Sequence, residues 1–369
     1  MSKEKVGIIT YHFARNYGAV LQCYALREYL EKAGYNAKVI NAVSKIQEKN
    51  NSLFSKKNGI KNVIVNIVLL PFIKQRIKKE NGFADFVENY IPHTEKVVNK
   101  EELKKLVDKE NYQAIITGSD QVWNTHIFDF DEMFFYPFET SATKVGYSVS
   151  IGESSYDDIK VYSEYASAFK FVGLREKGAK EKVEKICGHS VVDTVDPVLL
   201  LTREDWGEFV DLNSPLANEK YLLCYLIDKK PIKQNMEIAE RIAKERNLKI
   251  KYIWMHLEKE SFKNNFINDA SPVEFLNYMY FSSAVMTDGY HGTVFSTIFN
   301  KPMYSVINNR QSTDSRIKDY LTLIGLERRI LYGDSLVIPM EEIDYKDIDP
   351  RIRNVANSSK EFLKQAIQG

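Results

Sequence analysis

The sequence predicts an α/β protein of two domains, each a parallel sheet with helices on both faces, with a cleft between them. Three observations carry this prediction. The chain has 369 residues, which is too long for one ordinary domain and suits two. Short apolar segments of strand character alternate with helical segments along nearly the whole chain. The polar stretch "DLNSPLANEK" at 211–220, which follows Pro197, marks a boundary between two such alternating sets.

The first alternating set begins with the apolar strand "KVGIIT" near the amino terminus. The next segment has apolar residues at helical spacing from Val20 to Leu30 and ends at Gly34, a residue typical of helix C-termini. Residues from about 55 to 110 are predicted to form a helical insertion. Further strands and helices are predicted at "NAKVINA", "QAIITGSD", "KVGYSVSIG", 156–171, "FVGLRE", the charged segment up to Cys187, and "SVVDTVDP". Short buried strands between helices are typical of a parallel sheet.

The second set repeats this alternation after the boundary. Its elements are predicted at "YLLCYLI", 234–247, "KIKYIWM", a helix opened by Ser271-Pro272, "SAVMTDG", 291–300, "PMYSVIN" and a last helical pattern at 357–367. We therefore predict a Rossmann-like domain at 1–205 and a second one at 206–350. A C-terminal helix at 351–369 is expected to pack back across the two domains.

Composition argues against several classes of protein. Lys and Arg number 51 and Asp and Glu number 50, so the net charge of +1 does not suit a surface that neutralises nucleic-acid phosphates. The three cysteines, Cys23, Cys187 and Cys224, lie far apart, which favours buried thiols over a disulfide framework or a zinc site. The amino terminus lacks the apolar core of a signal peptide. We expect a cytoplasmic protein with neither a metal nor a bound cofactor.

The segment at 60–79, "IKNVIVNIVLLPFIKQRIKK", is apolar and flanked by lysine and arginine. Asn66 and Pro71 interrupt it, and its apolar part is too short to cross a bilayer. Two interpretations stay open. The segment forms a helix packed on its own domain, or it lies as an amphipathic helix on the inner face of the plasma membrane.

Ligands bind beyond the carboxyl ends of the strands in open parallel sheets, so candidate site residues follow the predicted strands. After the first strand, "HFARNYGAVLQ" places Arg15, Asn16, Tyr17 and Gly18 at a helix start. A helix N-terminus favours an anion or a hydroxyl-rich ligand, and Gly18 would let it approach closely. The alternative is an ordinary turn with polar surface residues.

A second candidate stretch, "GSDQVWN", follows a later strand of the same domain. Asp120 is a candidate acid, base or hydroxyl acceptor, Gln121 and Asn124 offer amides, and Trp123 offers a flat face for a sugar ring. The alternative is a local turn organised by Asp120, with Trp123 buried.

The strongest candidate is "TDGYHG", where a strand passes into a helix. His291 would stand beside the positive end of the helix dipole, with the amides of Gly292 and Thr293 unpaired, which makes an anion site with a titratable group. The alternative is a structural histidine.

Arginines at other strand ends are candidates for binding a carboxylate or phosphate. Arg175 ends "FVGLRE", and Arg310 and Arg316 follow "PMYSVIN". For Arg175 the alternative is a surface pair with Glu176, and for the other two it is a purely structural role.

Six stretches taken together resemble the polysaccharide pyruvyl transferase family. They are, in order, "NYGAVLQCYAL", "GSDQVWN", "LRE", "VDPVLLL", "SPVEFL" and "TDGYHGTVFSTIFNKP", and the resemblance runs from about Val6 to about Arg329. It implies two domains of glycosyltransferase B type. It also implies transfer of a pyruvyl group from phosphoenolpyruvate, the co-substrate, onto two hydroxyls of a sugar. The expected product is a cyclic ketal on a cell-surface or capsular polysaccharide precursor, whether or not that precursor is lipid-linked.

The resemblance also assigns residues. His291 falls on the family histidine that contacts phosphoenolpyruvate, and Arg175 on a strand-end arginine implicated in donor binding. Asn16 to Ala19 and Asp120 to Asn124 fall on motifs that face the cleft. The chain departs from the family at Gly289, where many members carry arginine, and Arg310 or Arg316 is the candidate to replace that charge.

These residues suggest a division of roles. His291 would hold the phosphate and supply the leaving-group proton, Arg175 and Arg316 would bind the donor charges, and Asp120 would be the hydroxyl base or the acid. Two alternative functions remain open. One is a sugar transferase of the same fold that uses a nucleotide sugar, and the other is an inactive, glycan-binding relative.

Overall fold

A computed structural model of the chain describes residues 3–50, 70–256, 261, 263, 265–308, 315–333, 335 and 337–369. It contains two parallel sheets, which confirms the predicted α/β fold of two Rossmann-like domains. The strands of the first sheet are β1 (Lys5–Ile9), β2 (Asn36–Val39), β3 (Ala114–Thr117), β4 (Thr143–Val149), β5 (Phe171–Leu174) and β6 (Val192–Asp193). Those of the second are β7 (Tyr221–Leu226), β8 (Lys249–Trp254), β9 (Ala284–Thr287), β10 (Met303–Ile307) and β11 (Ile330–Tyr332).

Helices connect these strands in both halves. In the first half they are α1 (Tyr17–Lys32), α2 (Lys45–Asn50), α3 (Ile73–Tyr90), α4 (Lys100–Glu110), α5 (Tyr156–Ile159), α6 (Ser163–Ala166), α7 (Lys180–Cys187) and α8 (Arg203–Gly207). In the second half they are α9 (Ile232–Arg246), α10 (Pro272–Phe281), α11 (Tyr290–Ile298), α12 (Arg316–Ile324) and α13 (Tyr345–Gln368). Single 3₁₀ turns include Leu70–Phe72, Glu132–Phe135 and Pro197–Leu199.

The sequence explains why these elements form. Every residue of β3, β7 and β9 is buried, as expected for short apolar strands covered on both faces. The side chain of Asn16 accepts from the amide of Ala19 and starts α1. Ser271 and Glu274 form a reciprocal capping box at the start of α10, with Pro272 in its first turn.

Two helical predictions differ from the structure. The predicted helix at 156–171 is broken into α5, a 3₁₀ turn and α6, because β5 begins at Phe171 and pairs there with Val145 of β4. The C-terminal helix begins at Tyr345, earlier than the expected start at 351. Tyr345 and Ile348 are buried and extend the apolar face of this helix toward its amino end, although Pro350 lies inside it.

The order of the strands in each sheet determines where the candidate site lies. The orders are β2-β1-β3-β4-β5-β6 in the first sheet and β11-β10-β9-β7-β8 in the second. In each sheet the second strand lies on one side of the first strand, and the third strand lies on the other side. The two connections therefore diverge, which opens a crevice at the carboxyl ends of the strands. These crevices lie between β1 and β3 and between β7 and β9. Their strand ends carry Asn16, Asp120, Asp288 and His291.

Aromatic packing joins the two halves. The ring of Tyr17, at the start of α1, stacks on Phe275 of α10 with centroids 4.5 Å apart, and its hydroxyl donates to the carbonyl of Ala270 at 2.8 Å. In α3, a Cβ on Gly82 would lie 2.6 Å from the Cβ of Ser271. Tyr17 therefore holds the domains together and does not face the cleft, so its predicted role in acceptor binding is wrong.

The C-terminal helix α13 also reaches the first half. Phe362 packs near Tyr147 of β4, with ring centroids 6.3 Å apart. The hydroxyl of Ser359 accepts from the amide of Val195 at 3.0 Å. The second half of the chain is thus followed by a helix that contacts the first sheet.

The described part of the segment at 60–79 belongs to α3 and the turn before it; residues 60–69 lie outside the described residues. Lys78 pairs with Asp269 and Glu274 of the second half, at 3.2 and 3.0 Å. Lys79 lies over the ring of Tyr17. Lys78 therefore contacts the second half of the protein, and so does Lys79, whose Nζ lies 4.0 Å from the sulfur of Met255. Among the described residues, no helix combines the length and the apolar character that crossing a membrane requires.

Candidate active site

A cavity of about 450 Å³ lies between the carboxyl ends of the two sheets. The first half contributes Asn16 and Asp120 to its wall, and the second half contributes Asp288, His291 and Arg316. The structure thus brings together residues that the sequence placed at separate strand ends. The cavity meets both crevices of the fold, which is where an α/β protein binds its ligands.

A chain of four ionisable side chains lies along the first-domain side of this cavity. The guanidinium of Arg175 donates to Asp120 Oδ1 at 2.9 Å and to Asp196 Oδ2 at 2.7 Å. The same Asp196 oxygen lies 3.1 Å from Nε2 of His291. Asp196 follows β6, whereas His291 begins α11 of the second half. The contact between them therefore couples the two domains at the site.

The pKa values of the two carboxyl groups are low despite burial. Burial alone would raise the pKa of Asp196, but the imidazole of His291 and the guanidinium of Arg175 lower it to about 2. For Asp120, burial is likewise outweighed by the charges of Arg175, His291 and Arg316, so its pKa is lowered. Both groups are therefore carboxylates at neutral pH. Asp120 is consequently suited to accept a hydrogen bond from a hydroxyl and is a weak base.

The backbone at the start of α1 makes room for His291. A Cβ on Gly18 would lie 2.0 Å from His291 Nδ1. Gly18 was predicted to admit a ligand, but the imidazole fills this space instead. Because Nε2 faces Asp196, the neutral tautomer that satisfies this contact carries its proton on Nε2. Asp196 and Gly18 thus fix the orientation of the ring, whose exposed edge lines the cavity.

The anion site at the start of α11 is shifted by one residue from the prediction. The helix begins at Tyr290, and the amide of Thr293 already donates to the carbonyl of Gly289. The hydroxyl of Thr293 is buried and contacts the Ser305 hydroxyl at 2.7 Å. Thr293 is therefore structural, and its predicted role in donor binding is wrong. The first-turn amides, which include that of Gly292, lack carbonyl partners within the helix.

Of the three arginines predicted to bind the donor, Arg175 differs from the prediction. The side chain of Arg175 is completely buried and both of its terminal nitrogens are used by Asp120 and Asp196, so Arg175 does not present its charge directly to a donor. Arg316 lines the cavity, and its guanidinium carbon lies 6.0 Å from the ring centroid of Tyr290. Arg310 lies outside the described residues.

The second-domain wall carries a carboxyl group that the sequence reasoning missed. Asp288 accepts from the backbone amides of Ile227 and Asp228, at 2.7 and 3.3 Å, and from the side chain of Asn235 at 3.2 Å. Burial, followed by the charge of Asp228, raises the pKa of Asp288 to about 7. The signal was its place in "TDGYHG", directly after a buried strand. A carboxyl group with this pKa is suited to proton transfer at neutral pH.

A second groove, of about 670 Å³, adjoins the cavity. Asn16, Asp120 and Gln121 line both spaces. The groove is also lined by Arg15 and by Phe128, whose side chain is 69% exposed. An extended ligand could therefore occupy both spaces past Asp120.

Two other residues of "GSDQVWN" do not reach this groove. Trp123 is completely buried and stacks on Phe135 with centroids 4.9 Å apart, so its predicted role as a sugar platform is wrong. The amide of Asn124 donates to Gln121 Oε1 at 2.6 Å, and its oxygen accepts from the hydroxyl of Ser154. Asn124 is buried, and it organises the loop.

The departure at Gly289 has a structural counterpart. A Cβ on Gly289 would lie 2.5 Å from Cδ1 of Ile227, which also lines the cavity. An apolar side chain thus occupies the space into which a larger residue at 289 would project.

Fold and site together define a protein of two Rossmann-like domains with a ligand cavity between them. Residues 16–310 match the family described as polysaccharide pyruvyl transferase. This match covers more than half of the chain, so the chain belongs to that family and is a transferase of polysaccharide biosynthesis. No curated protein matches the chain significantly.

Solved structures that resemble this chain include UDP-N-acetylglucosamine 2-epimerases and a glucosyltransferase solved with UDP. A UDP-N-acetylglucosamine 2-epimerase from Rickettsia bellii is 12% identical, with a TM-score of 0.53 over 100% of this chain and 98% of that one. The UDP-GlcNAc 2-epimerase from Methanocaldococcus jannaschii, solved with UDP-GlcNAc and UDP, is 11% identical, with a TM-score of 0.52 over 100% of both chains. An alpha-glucosyltransferase solved with UDP and DNA is 10% identical, with a TM-score of 0.51 over 100% of this chain and 94% of that one. These likenesses confirm the glycosyltransferase B-type fold.

Proposed function

We propose that the protein transfers the pyruvyl group of phosphoenolpyruvate onto two hydroxyls of a sugar in a cell-surface polysaccharide precursor, forming a cyclic ketal and releasing phosphate. The observation that carries the proposal is the placement of His291. Its imidazole stands at the start of α11, is oriented by Asp196, and lines a cavity enclosed by both domains. A histidine and helix-end amides at one point suit a phosphate that must be bound and then released.

The donor is proposed to lie on the second-domain side of the cavity. Phosphoenolpyruvate carries a phosphate and a carboxylate. The first-turn amides of α11 and His291 would bind the phosphate, and Arg316 would pair with the carboxylate. Arg175 acts indirectly in this arrangement, because it holds Asp120 and Asp196 in place without facing the cavity.

The reaction follows from these positions. A sugar hydroxyl adds to C2 of phosphoenolpyruvate, its proton passes to solvent or to a base, and the methylene carbon receives a proton and becomes a methyl group. The C2–phosphate bond then breaks, and the second hydroxyl attacks C2 and loses its proton, which closes the ketal. Asp288 is the proposed proton donor to the methylene carbon, and Asp120 the acceptor that orients the attacking hydroxyl. In its doubly protonated form, which keeps the Nε2 proton directed at Asp196 and carries a second proton on Nδ1, His291 would protonate the departing phosphate.

The acceptor is proposed to lie in the adjoining groove. Asp120 and Gln121 stand where the groove meets the cavity, so a sugar in the groove would present hydroxyls toward the donor. Phe128 offers the exposed aromatic surface that was predicted for Trp123.

The test is incubation with phosphoenolpyruvate and a panel of sugar acceptors, with phosphate release and acceptor mass measured together. We expect phosphate release to accompany the mass gain of a pyruvyl ketal. His291→Gln should lower turnover by about 10² to 10⁴. His189→Gln, which changes a half-buried histidine whose ring nitrogens contact main-chain carbonyls far from the cavity lining, should leave it unchanged. Full turnover by His291→Gln would contradict the assignment. Tight binding of UDP, with no phosphate released from phosphoenolpyruvate, would favour a nucleotide-sugar transferase instead.

A further inference from the structure

The carboxyl group of Asp288 meets two side-chain amides from different elements. Its Oδ2 lies 3.2 Å from Nδ2 of Asn235 in α9 and 3.5 Å from Nδ2 of Asn308, which directly follows β10. In both asparagines the amide oxygen is buried and has no hydrogen-bond partner in the described part of the chain. A buried acceptor without a donor is costly, so these two oxygens indicate a donor that is present in only one state of the site.

A proton on Asp288 would be that donor. The ionised carboxylate only accepts hydrogen bonds, and both amides then present their N–H groups to it. The protonated carboxyl group carries an O–H, which the oxygen of Asn235 would accept after a half-turn of its amide. This amide makes one hydrogen bond in either orientation, so the surroundings of Asp288 suit both of its protonation states.

A second carboxyl group, that of Asp228, faces Asp288 across Asn308. Asn308 Nδ2 lies 3.2 Å from Asp228 Oδ2, so one amide nitrogen contacts both carboxyl groups. The backbone amide of Asp228 also donates to Asp288 Oδ2 at 3.3 Å. Asp228 is exposed and lines the same cavity. It is therefore placed to exchange protons with both solvent and Asp288.

The other titratable groups around Asp288 do not offer such a route. Cys224 and Tyr225 of β7 are completely buried. Burial, followed by the charge of Asp288, raises the pKa of each of them, so both stay neutral at neutral pH. His291 and Arg316 line the cavity from α11 and α12, but neither hydrogen-bonds to the carboxyl group of Asp288.

The proposed reaction requires a route by which Asp288 recovers its proton. Asp288 gives a proton to the methylene carbon in each cycle, and must take up another before the next. We propose that Asp228 returns a proton from solvent to Asp288, and that Asn308 holds the two carboxyl groups together for this step. The two sugar hydroxyls release two protons per cycle; one replaces the proton given by Asp288, and the other leaves with the phosphate. This relay rests on the proposed function, whereas the coupling of the two carboxyl groups does not.

Titration of Asp288 tests the coupling without any turnover. Its carboxyl carbon is followed by NMR in protein that contains isotope-labelled aspartate, and Asp288→Asn identifies its signal. Burial and the charge of Asp228 raise the pKa of Asp288 to about 7, so Asp228→Asn should lower this pKa. Glu153→Gln is the matched control, because Glu153 lines the same cavity without contacting Asp288. The same pKa in Asp228→Asn and wild-type protein would overturn the coupling, and the relay with it.

Turnover with phosphoenolpyruvate and a sugar acceptor then tests the relay. Asp228→Asn and Asn308→Ala should each lower kcat about tenfold or more. Imidazole carries protons between solvent and an acid, so it should restore kcat in both variants as its concentration rises, and should not alter kcat of Glu153→Gln. A residue with a purely structural role would not respond to imidazole.

Two results would overturn the relay while the proposed function stands: wild-type kcat in Asp228→Asn, or a loss of kcat that imidazole does not restore. If the wild-type protein releases no phosphate from phosphoenolpyruvate, the proposed function fails and the relay falls with it. A titration of Asp288 that still depends on Asp228 would in that case leave the coupling of the two carboxyl groups intact.

Discussion

The contact between Gly18 and His291 allows the site to be perturbed by a single methyl group. An alanine Cβ at position 18 would lie 2.0 Å from Nδ1 and 2.4 Å from Cγ of His291, whereas real Cβ contacts are essentially never under 3.0 Å. Gly18 lies in the first turn of α1 and its backbone does not need a positive φ, so the strain of Gly18→Ala falls on the imidazole. His291 must move by roughly 1 Å, away from its place beside Asp196.

The expected effects on stability and activity differ in size. Alanine gains up to about 1 kcal/mol over glycine in a helix, and overpacking a buried contact costs about 1–3 kcal/mol. The net loss in the free energy of unfolding is therefore about 0–2 kcal/mol, and the variant should fold. A displacement of about 1 Å at a reacting group costs on the order of 10² in rate. Gly18→Ala should thus lose turnover much more than stability.

A matched control is provided by Gly207, at the end of α8. A Cβ there would meet no atom within 4 Å, so Gly207→Ala makes the same chemical change without the contact. Urea unfolding, phosphate release from phosphoenolpyruvate and a crystal structure of each variant would be compared. In Gly18→Ala the hydrogen bond between His291 and Asp196 should be lost. An intact hydrogen bond and wild-type turnover in this variant would refute the reasoning.

Two further predictions concern the ion-pair chain and the acceptor groove. Asp196→Asn deprives Arg175 and His291 of a buried carboxylate, and should lower the free energy of unfolding by about 3–5 kcal/mol in urea. The pKa of Asp196 is lowered from 3.8 to about 2, so its stabilisation, about 2 kcal/mol, is present above pH 4 and is lost as the pH falls toward 2. Unfolding curves of Asp196→Asn should therefore depend less on pH in this range, and an unchanged dependence would contradict the assignment. Phe128→Ala should raise the acceptor KM about two- to tenfold, whereas Trp123→Phe should alter stability alone; an equal rise in KM in both variants would show that Trp123 contributes to the groove.

The sequence predicted the convergence of the site because the geometry of parallel sheets is regular. Carboxyl ends of parallel strands lie at one edge of a sheet, so Asn16 and Asp120 could be placed near each other in the first domain, and His291 and Arg316 in the second, from the strand pattern alone. Arg316 was found in the same way, after the next strand along the chain. Prediction succeeded where the fold class itself determines which residues share an edge.

The direction of individual side chains was less predictable, because packing decides it. Trp123 has the flat aromatic face on which a sugar could stack, but Phe135 stacks on it in the interior. Tyr17 follows a strand, but Phe275 of the other domain covers it. Asp196 received no role, although it contacts His291 from 95 residues away. Periodicity and turn signals describe local structure and carry no information on how two domains are placed against each other.

The chain carries glycine at position 289, where many members of the family carry arginine. The sequence indicated a missing arginine, and the structure shows that Ile227 fills the space in front of the glycine. A larger residue at 289 would need Ile227 to move, so the two positions form one apolar feature of the cavity wall. Among the described lining residues, Arg316 of α12 supplies a positive charge, and His291 at the start of α11 supplies an imidazole. A donor bound here would have its charges met from these two helices, on the same side of the cavity as Asp288.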